Sequence, residues 1–169
     1  MSKPVRVGIL TISDGVSAGW RDDESGDRIR RWSDESGFDV AARAVVPDES
    51  EVIADTLREW ADGGMVDLVL TTGGTGFTER DVTPEATRRV LERGAPGISE
   101  WIRAVGVKKT PYAALSRGLA GIRGQVLIVN LPGSPSGVTD GLAVLSGLVV
   151  HAIELLRGQP CHGPDGPKG

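Results

Sequence analysis

The chain has 169 residues, of which 39% are hydrophobic and 25% charged, and its formal net charge is −4 at pH 7. This composition excludes a disordered chain and predicts one globular domain of ordinary size. No apolar run approaches the roughly 20 residues that a membrane-spanning helix needs, and an acidic chain is a poor candidate for a general nucleic-acid binder. We therefore expect neither a membrane nor a nucleic acid as a partner.

The beginning of the chain and its cysteine content bear on the compartment. Residues 1–4 lead directly into a strand-like run, so we expect no signal peptide. The one cysteine, Cys161, cannot form an intramolecular disulfide. The expected location is the reducing cytoplasm.

The first half of the chain alternates predicted strands and helices. Residues 5–12 are nearly all apolar and β-branched, which predicts a strand buried on both faces. A polar helix is expected over residues 22–36, followed by a more exposed strand over 39–46. Ser50 is the predicted N-cap of the next helix, which ends at the glycines of residues 63–64.

The second half continues the alternation. Residues 66–72 predict a buried strand, and Thr83 is the predicted N-cap of a helix that ends near Gly94. Another helix is expected over 96–107, whereas the pattern of 110–124 is mixed and gives no assignment.

The carboxyl-terminal third completes the predicted fold. Residues 126–131 predict a fourth buried strand, and helical spacing predicts one long helix over 138–157. We expect one domain over residues 1–157 and a flexible tail over 158–169. Alternating strands and helices are typical of an α/β fold, here a three-layer sandwich with a mostly parallel sheet.

Polar or glycine-rich loops follow the four predicted strands. They contain Ser13 and Asp14 after the first strand, Asp48 after the second, Gly73, Gly74, Thr75 and Gly76 after the third, and Pro132, Gly133, Ser134 and Pro135 after the fourth. Parallel strands bring such loops to one edge of the sheet, where ligands bind. Glycine in either loop alone can serve a tight turn, but two such loops on one edge favour phosphate binding by backbone N–H groups.

Two well-known phosphate-site motifs and one catalytic arrangement are absent from the sequence. No glycine is followed by Lys and then Ser or Thr, as a P-loop requires, and no G-x-G-x-x-G follows the first strand. The two histidines, His151 and His162, lie in the predicted last helix and in the tail. Their positions argue against a Ser-His catalytic triad.

Two aspartates lie beside the predicted phosphate loops. Asp48 has an alternative role as a turn-forming residue after a proline, and Asp81 as a charge at a helix entry. A carboxylate beside a polyphosphate is tolerated when a cation lies between them, so their joint placement favours a Mg²⁺ site. The candidate anion-binding cations are Arg80, Lys108, Lys109 and Arg117.

Four segments of the sequence are distinctive as a set. They read TTGGTG at 71–76, RDVTPEA at 80–86, ALSR at 114–117 and NLPGSP at 130–135. These segments closely resemble the MogA/MoaB family of molybdenum cofactor biosynthesis. The resemblance covers residues 5–157, and its most specific part runs from 71 to 86.

The resemblance implies a reaction and the residues that carry it. In the family's adenylyltransferases, the terminal phosphate of molybdopterin attacks the α-phosphate of ATP with the help of Mg²⁺, and pyrophosphate leaves. Because the attacking phosphate is already an anion, this reaction needs no general base. The resemblance implies catalysis and Mg²⁺ binding for Asp48 and Asp81, and nucleotide binding for Gly73, Gly74, Thr75 and Gly76. It implies pterin binding for Ser116 and Arg117. Closure of the site is implied for Pro132, Gly133, Ser134 and Pro135, and lining of the site for Ser13 and Asp14.

Three questions stay open at this stage. The chain lacks the insertion that some MogA proteins carry after Pro135, and some MoaB proteins, which also lack it, bind molybdopterin without evident adenylylation. The family forms trimers or hexamers, and we favour a trimer that passes its product to the molybdenum insertion protein. A further alternative function is that of a nucleotide-pyrophosphate hydrolase of the competence-damage type. Thr75 and the Arg80–Asp81 pair argue against it.

Overall fold

A computed structural model describes residues 3–158 of the chain and has a six-stranded sheet at its centre. The strands are β1 (Arg6–Ile12), β2 (Asp39–Val46), β3 (Leu68–Thr72), β4 (Arg93–Gly94), β5 (Ala120–Arg123) and β6 (Val126–Leu131). Their order in the sheet is β2-β1-β3-β6-β5-β4. The first four strands in that order are parallel, and β5 and β4 extend the sheet by antiparallel pairing.

Helices cover both faces of the sheet. They are α1 (Asp14–Ser17), α2 (Glu24–Glu35), α3 (Ser50–Asp62), α4 (Thr83–Val90), α5 (Pro96–Gly106), α6 (Pro135–Ser146) and α7 (Val149–Leu156), with a 3₁₀ turn at Pro111–Leu115. One hydrophobic core joins the sheet to α2, α5, α6 and α7, and a second core joins its other face to α3 and α4. The predicted three-layer α/β sandwich with a mostly parallel sheet is confirmed.

The continuous apolar run of β1 follows from its central place in the sheet. Val7 and Ile9 face one core, whereas Leu10 and Ile12 face the other, and all four are buried. β2 lies at the edge, and its residues alternate between exposed and partly buried positions. The hydrophobic patterns of the two strands differ because β1 lies between two other strands and β2 lies at the edge of the sheet.

The prediction of one long helix over 138–157 is wrong. Ser134 caps a helix that starts earlier, at Pro135, and Gly147 ends it, so that α7 begins after a bend of 59°. Glycine has a low helix propensity, and the bend keeps both Leu145 and Val149 against the sheet. In the part of the chain that the structure describes, no single helix is long and apolar enough to cross a membrane, although this bent pair passes by length and composition alone.

Smaller differences concern the ends of elements. Ser50 and Thr83 are the first residues of α3 and α4 rather than their N-caps, which are Glu49 and Val82. The helix predicted to end near Gly94 ends at Val90 instead. The short helix α1 was not predicted, and residues 110–124 contain the 3₁₀ turn and the four-residue strand β5, both too short for a clear periodic pattern. The predicted tail lies outside the described residues except for Gly158.

The strand order places the ligand crevice. Along the sheet, β2 lies to one side of β1, whereas β3 and all the later strands lie to the other side. A crevice opens where the direction of winding reverses, outside the carboxyl ends of β1 and β3. The loops that follow these two strands are two of the four that were singled out in the sequence.

The opposite edge of the sheet carries a closed charge cluster around Asp67, at the amino end of β3. The Arg6 guanidinium donates to both carboxylate oxygens at 3.0 Å, and Arg157 Nη2 donates to Oδ2 at 2.8 Å. Burial alone would raise the pKa of Asp67, but the hydrogen bonds from both arginines outweigh it and lower the pKa to about 2. Arg157 also donates to the carbonyls of Lys3 and Pro4, so the cluster fastens the end of α7 to the start of β1.

Candidate active site

Two adjoining cavities open at the carboxyl edge of the sheet. The first cavity, of about 460 Å³, lies at the ends of β1 and β3 and is closed by the amino end of α2. The second cavity, of about 410 Å³, lies between the glycine loop, α5 and the 3₁₀ turn. Four residues line both cavities: Gly74, Asp81, Gly133 and Ser134. A ligand in one cavity would therefore meet a ligand in the other at this shared border.

The glycine loop after β3, residues 73–76, requires its glycines. Gly73 and Gly74 have φ angles of 98° and 68°, and a Cβ atom on Gly73 would overlap the carbonyl oxygen of Ile12. Thr83, at the start of α4, fixes the loop by donating from Oγ1 to the Gly73 carbonyl and from its backbone N–H to the Gly74 carbonyl. The loop is thereby held rigidly against α4.

The same loop presents unused backbone donors. Within residues 3–158, the N–H groups of Gly74, Thr75 and Gly76 donate no hydrogen bond, although all three residues are buried or partly buried. Buried backbone N–H groups are almost always paired. Consecutive unpaired N–H groups at a strand end can donate hydrogen bonds to phosphate oxygens.

Asp48 and Asp14 are joined by a reciprocal pair of hydrogen bonds. The Asp14 backbone N–H donates to Asp48 Oδ2 at 2.8 Å, and the Asp48 backbone N–H donates to Asp14 Oδ1 at 3.0 Å. Arg80 closes a bidentate pair with the Asp14 carboxylate at 2.9 Å for both contacts. Asp14 therefore ties three loops together, and this pairing lowers its pKa, first through Arg80 and then through the Asp48 N–H.

Asp48 has the opposite electrostatic character. Burial raises its pKa, the Asp14 N–H offsets part of that effect, and the negative charges of Asp14 and Asp81 raise the pKa further. Its Oδ1 lies about 3.1 Å from the position that a Cβ on Gly74 would take. A half-buried carboxylate beside the glycine loop, repelled by two neighbouring carboxylates, is a favourable ligand for a cation.

Asp81 is held from its own loop. Its Oδ2 accepts hydrogen bonds from the backbone N–H and the hydroxyl of Thr78, at 2.9 and 2.8 Å. The same oxygen lies about 2.9 Å from the position of a Cβ on Gly76. Both aspartates thus approach glycines of one loop, where a larger residue would displace them.

Arg117 secures the glycine loop from its far side. Its Nε donates to the Gly76 carbonyl at 2.9 Å, its Nη2 donates to the Asp81 carbonyl at 2.7 Å, and it forms an ion pair with Glu85. The guanidinium lines neither cavity, whereas the neighbouring Ser116 lines the second. The predicted contact of Arg117 with the pterin stays a prediction, and the observed contacts are with the loop.

The loop over residues 132–135 completes the border between the cavities. Thr72 Oγ1 donates to the Pro132 carbonyl at 2.6 Å, and Ser25 Oγ, from α2, donates to the Gly133 carbonyl at 2.9 Å. A Cβ on Gly133 would lie only 3.2 Å from the Cα of Gly73, so the two glycine-containing loops pack directly against each other. Ser134 Oγ accepts the Gly137 N–H as the N-cap of α6.

The two cavities differ in charge and polarity. The charged side chains lining the first are the carboxylates of Asp22, Asp23, Glu24, Asp48 and Asp81, and the guanidinium of Arg21. The second combines the cations Arg103 and Lys109 with two carboxylates, and its apolar lining comes from Ile102, Ala113 and Leu115 together with the ring of Tyr112. The first cavity is therefore suited to groups rich in hydrogen-bond donors, and the second, whose two cations are matched in number by two carboxylates, to a partly apolar ligand.

Most of the candidate residues named from the sequence line this crevice. Ser13, Asp48, the glycine-loop residues, Asp81, Ser116 and residues 132–135 line one or both cavities. Asp14 and Arg80 pair with each other, and Lys109, which lines the second cavity, forms an ion pair with Asp140. Sequence reasoning missed the acidic amino end of α2, where Asp23 caps the helix by accepting the Gly26 N–H. The cap pattern was visible in the sequence, but nothing in it showed that this end closes the crevice.

The two carboxylates beside the glycine loop, Asp48 and Asp81, fit Mg²⁺ better than a soft metal. Within residues 3–158, no group of three or more His, Cys, Asp or Glu side chains could hold a metal ion by itself. Mg²⁺ is commonly held by one or two carboxylates together with substrate phosphates and water. Asp48, beside Gly74, and Asp81, beside Gly76, match that requirement.

This fold and this site define a class: an α/β protein with a candidate phosphate-binding crevice at the carboxyl edge of its mostly parallel sheet. A family model described as a probable molybdopterin binding domain matches residues 8–151. The chain belongs to this family, and within it to the MogA/MoaB proteins of molybdenum cofactor biosynthesis.

Three relatives illustrate the similarity. The chain is 37% identical over 156 residues to the molybdopterin adenylyltransferase of Helicobacter pylori strain J99, covering 91% of this chain and 89% of that protein. It is 44% identical to the molybdenum cofactor synthesis protein cinnamon of Drosophila melanogaster, covering 90% of this chain but about a quarter (26%) of that protein. The crystal structure of the molybdopterin biosynthesis enzyme MoaB from Thermus thermophilus superposes with a TM-score of 0.86 at 50% identity, covering 94% and 99% of the two chains.

Proposed function

We propose that the chain is a molybdopterin adenylyltransferase that acts in molybdenum cofactor biosynthesis. The observation that carries this proposal is the pair of adjoining cavities that share Gly74, Asp81, Gly133 and Ser134. A transfer between two bound substrates needs two binding sites that meet at the reacting phosphates. Bacterial relatives named molybdopterin adenylyltransferase, 37–40% identical to this chain, support the same function.

We assign ATP to the first cavity and molybdopterin to the second. Molybdopterin carries a dithiolene and a phosphate, and the second cavity offers it apolar side chains and the guanidinium of Arg103, whereas Lys109 there is paired with Asp140. The adenosine part of ATP is neutral and rich in N–H and O–H donors, which the carboxylates of the first cavity can accept. The two reacting phosphates then meet at the border formed by Gly74, Asp81, Gly133 and Ser134.

Mg²⁺ is the cation that we propose for Asp48 and Asp81. When bound there, it would neutralise the phosphate oxygens of ATP and stabilise the charge that moves to the leaving pyrophosphate. The protein supplies the carboxylates on either side of the glycine loop and the means of holding each in place: the Asp14 N–H for Asp48 and Thr78 for Asp81.

The rest of the proposed mechanism is positioning. The N–H groups of Gly74, Thr75 and Gly76 hold phosphate oxygens of ATP. The fixed loop thereby orients the α-phosphate for in-line attack by the phosphate of molybdopterin. The attacking phosphate of molybdopterin carries its own negative charge, so the site needs no side chain to remove a proton. This accounts for a catalytic site whose cavities have no histidine among their lining residues.

The alternative is a MoaB-type protein that holds molybdopterin without transferring an adenylyl group. The 50% identity to a MoaB structure and the absence of an insertion after Pro135 favour it. Both aspartates and the full glycine loop favour the enzyme.

The remaining parts of the proposal concern assembly and location. We place the protein in the cytoplasm, where ATP is available and a single cysteine stays reduced. We propose a homotrimer, in preference to a hexamer, that passes adenylylated molybdopterin to a molybdenum insertion protein.

Incubation of the protein with molybdopterin, ATP and Mg²⁺ tests the proposed activity. We expect release of pyrophosphate in a one-to-one ratio with adenylylated molybdopterin, and no release when molybdopterin is omitted. Tight binding of molybdopterin without pyrophosphate release would instead establish the MoaB-type alternative. Hydrolysis of ADP-ribose in the same assay would point to the competence-damage type of hydrolase.

A further inference from the structure

The turn between α1 and α2 displays the most exposed large hydrophobic side chain in residues 3–158. Trp20 is 80% exposed, whereas Trp60 is buried and Trp101 is half exposed. Single exposed hydrophobic side chains are common, so exposure alone indicates nothing. The surroundings of Trp20 are what distinguish it.

The turn that carries Trp20 is fixed in place. The Trp20 backbone N–H donates to the Gly15 carbonyl at 2.9 Å, and Arg21 Nη2 donates to Ser13 Oγ at 3.3 Å. Gly19, with a φ angle of 78°, supplies the left-handed residue that the turn needs. The indole is therefore displayed from an anchored backbone at the rim of the crevice.

An open groove of about 420 Å³ runs from the first cavity to the indole. It is lined by Gly19, Trp20, Arg21, Asp22 and Glu24. Three of these residues, Arg21, Asp22 and Glu24, also line the first cavity. The groove therefore adjoins the first cavity through these three residues, whereas Trp20 and Gly19 line only the part outside it.

We propose that Trp20 stacks on the adenine base of ATP and is a substrate-positioning residue of this chain. This inference rests on the proposed function, because it takes ATP to lie in the first cavity with its phosphates at the glycine loop. The base then points away from the loop, past Asp22 and Glu24, toward the indole. Flat aromatic rings stack on nucleobases with little dependence on which base is bound.

Binding of MgATP to the full chain without molybdopterin tests this role, since no transfer occurs. We expect Trp20→Ala to raise the Kd of MgATP about 10-fold and Trp20→Phe, which keeps an aromatic face, to raise it less than about 3-fold. The Kd of magnesium tripolyphosphate, which has no base, is expected to stay within about 2-fold in Trp20→Ala. Trp101→Ala is the matched control, because Trp101 lies on α5 and lines neither cavity.

The adenylylation assay separates failure of this inference from failure of the proposed function. In that assay we expect Trp20→Ala to raise the KM for ATP and leave kcat and the KM for molybdopterin unchanged. A wild-type enzyme that turns over, with a Trp20→Ala variant of unchanged Kd and KM for ATP, overturns the role of Trp20 alone. An equal rise in the Kd of magnesium tripolyphosphate and of MgATP in Trp20→Ala also overturns it. So does quenching, by molybdopterin and not by ATP, of the part of the fluorescence that Trp20→Ala removes. A wild-type protein that neither binds ATP nor releases pyrophosphate overturns both proposals.

Discussion

The two edges of the sheet place an aspartate in opposite electrostatic surroundings. At the amino edge, Asp67 is closed in by Arg6 and Arg157, and its pKa falls to about 2. At the carboxyl edge, Asp48 receives one backbone N–H and faces two other carboxylates, and its pKa is raised. The negative charge is therefore neutralised inside the protein at one edge and left incompletely neutralised at the other.

This difference indicates separate purposes for the two edges. A carboxylate already paired with two arginines has little left to offer a ligand, but it stabilises the fold at neutral pH. A carboxylate that the fold leaves poorly compensated gains when a cation arrives, which favours binding of Mg²⁺. We expect the charge cluster at the amino edge to contribute to stability, and chemistry to take place at the carboxyl edge, where the glycine loop and several carboxylates lie together.

The largest expected effect is at the border of the two cavities. We expect Asp81→Asn to lower the rate of adenylylation about 1,000-fold, because it removes a charged ligand beside the transferred phosphate. Binding of molybdopterin and the melting temperature are expected to stay near the wild-type values. Asp55→Asn, a substitution of the same kind at an exposed position on α3, is the control. Turnover of Asp81→Asn within about 10-fold of the wild type would contradict the role of the carboxylate.

Asp48→Asn is expected to change activity and stability in opposite directions. We expect adenylylation to fall about 100-fold, because the remaining amide is a poor Mg²⁺ ligand. The melting temperature is expected to rise by about 1–3 °C at pH 7, since a carboxyl whose pKa is raised by folding opposes folding once it is ionised. An amide oxygen can still accept the Asp14 N–H.

The sign of the pH dependence checks this interpretation of Asp48. As the pH falls through its raised pKa, wild-type Asp48 takes up a proton, and the advantage in melting temperature of Asp48→Asn should disappear. Over the same range the wild-type rate should fall because protonated Asp48 cannot hold a cation. Calorimetry and rate measurements at matched pH values test both statements, and a less stable variant at pH 7 would contradict them.

Asp67→Asn is expected to act on stability alone. Loss of the paired charge should destabilise the fold by about 2 kcal/mol at pH 7, which lowers the melting temperature by roughly 4–8 °C. Because folding lowers the pKa of Asp67, the wild-type advantage is fully present above about pH 4 and is lost as the pH falls toward about 2. Denaturant unfolding measures it. A loss of adenylylation activity in the folded variant would show that the two edges are not separate.

The smallest of these effects tests how closely the glycine loop approaches the aspartates. A Cβ on Gly76 would lie 2.9 Å from Asp81 Oδ2, whereas one on Gly97 meets nothing within 4 Å. We expect Gly76→Ala to lower the adenylylation rate about 10-fold by displacing the carboxylate, and Gly97→Ala to leave it unchanged. Equal rates for the two variants would show that the fit at Gly76 is not needed.

The sequence predicted the fold well where hydrophobic periodicity was long. β1, β2, β3 and β6 emerged with the correct ends to within two residues, because each has a clear apolar or alternating pattern. The break at Gly147 was missed because the apolar spacing continues across it. β5 was missed because its four residues are shorter than any pattern can register.

The candidate site was predictable in part for a related reason. Loops after parallel strands must share an edge, so Asp48, the glycine loop and residues 132–135 could be placed together from the expectation of parallel strands alone. The amino end of α2 could not, because its place depends on long-range contacts such as that of Ser25 with the Gly133 carbonyl. Arg117 was predicted to hold the pterin, but its observed bonds to Gly76 and Asp81 are invisible to a sequence pattern.

A crystal structure with Mn²⁺ in place of Mg²⁺ and a non-hydrolysable ATP analogue tests the central claim most directly. The anomalous signal of Mn²⁺ locates the cation, and the electron density locates the nucleotide. We predict one Mn²⁺ between Asp48 and Asp81, phosphates on the N–H groups of the glycine loop, and adenosine in the first cavity. Adenosine in the second cavity, or Mn²⁺ that contacts neither aspartate, would contradict the account.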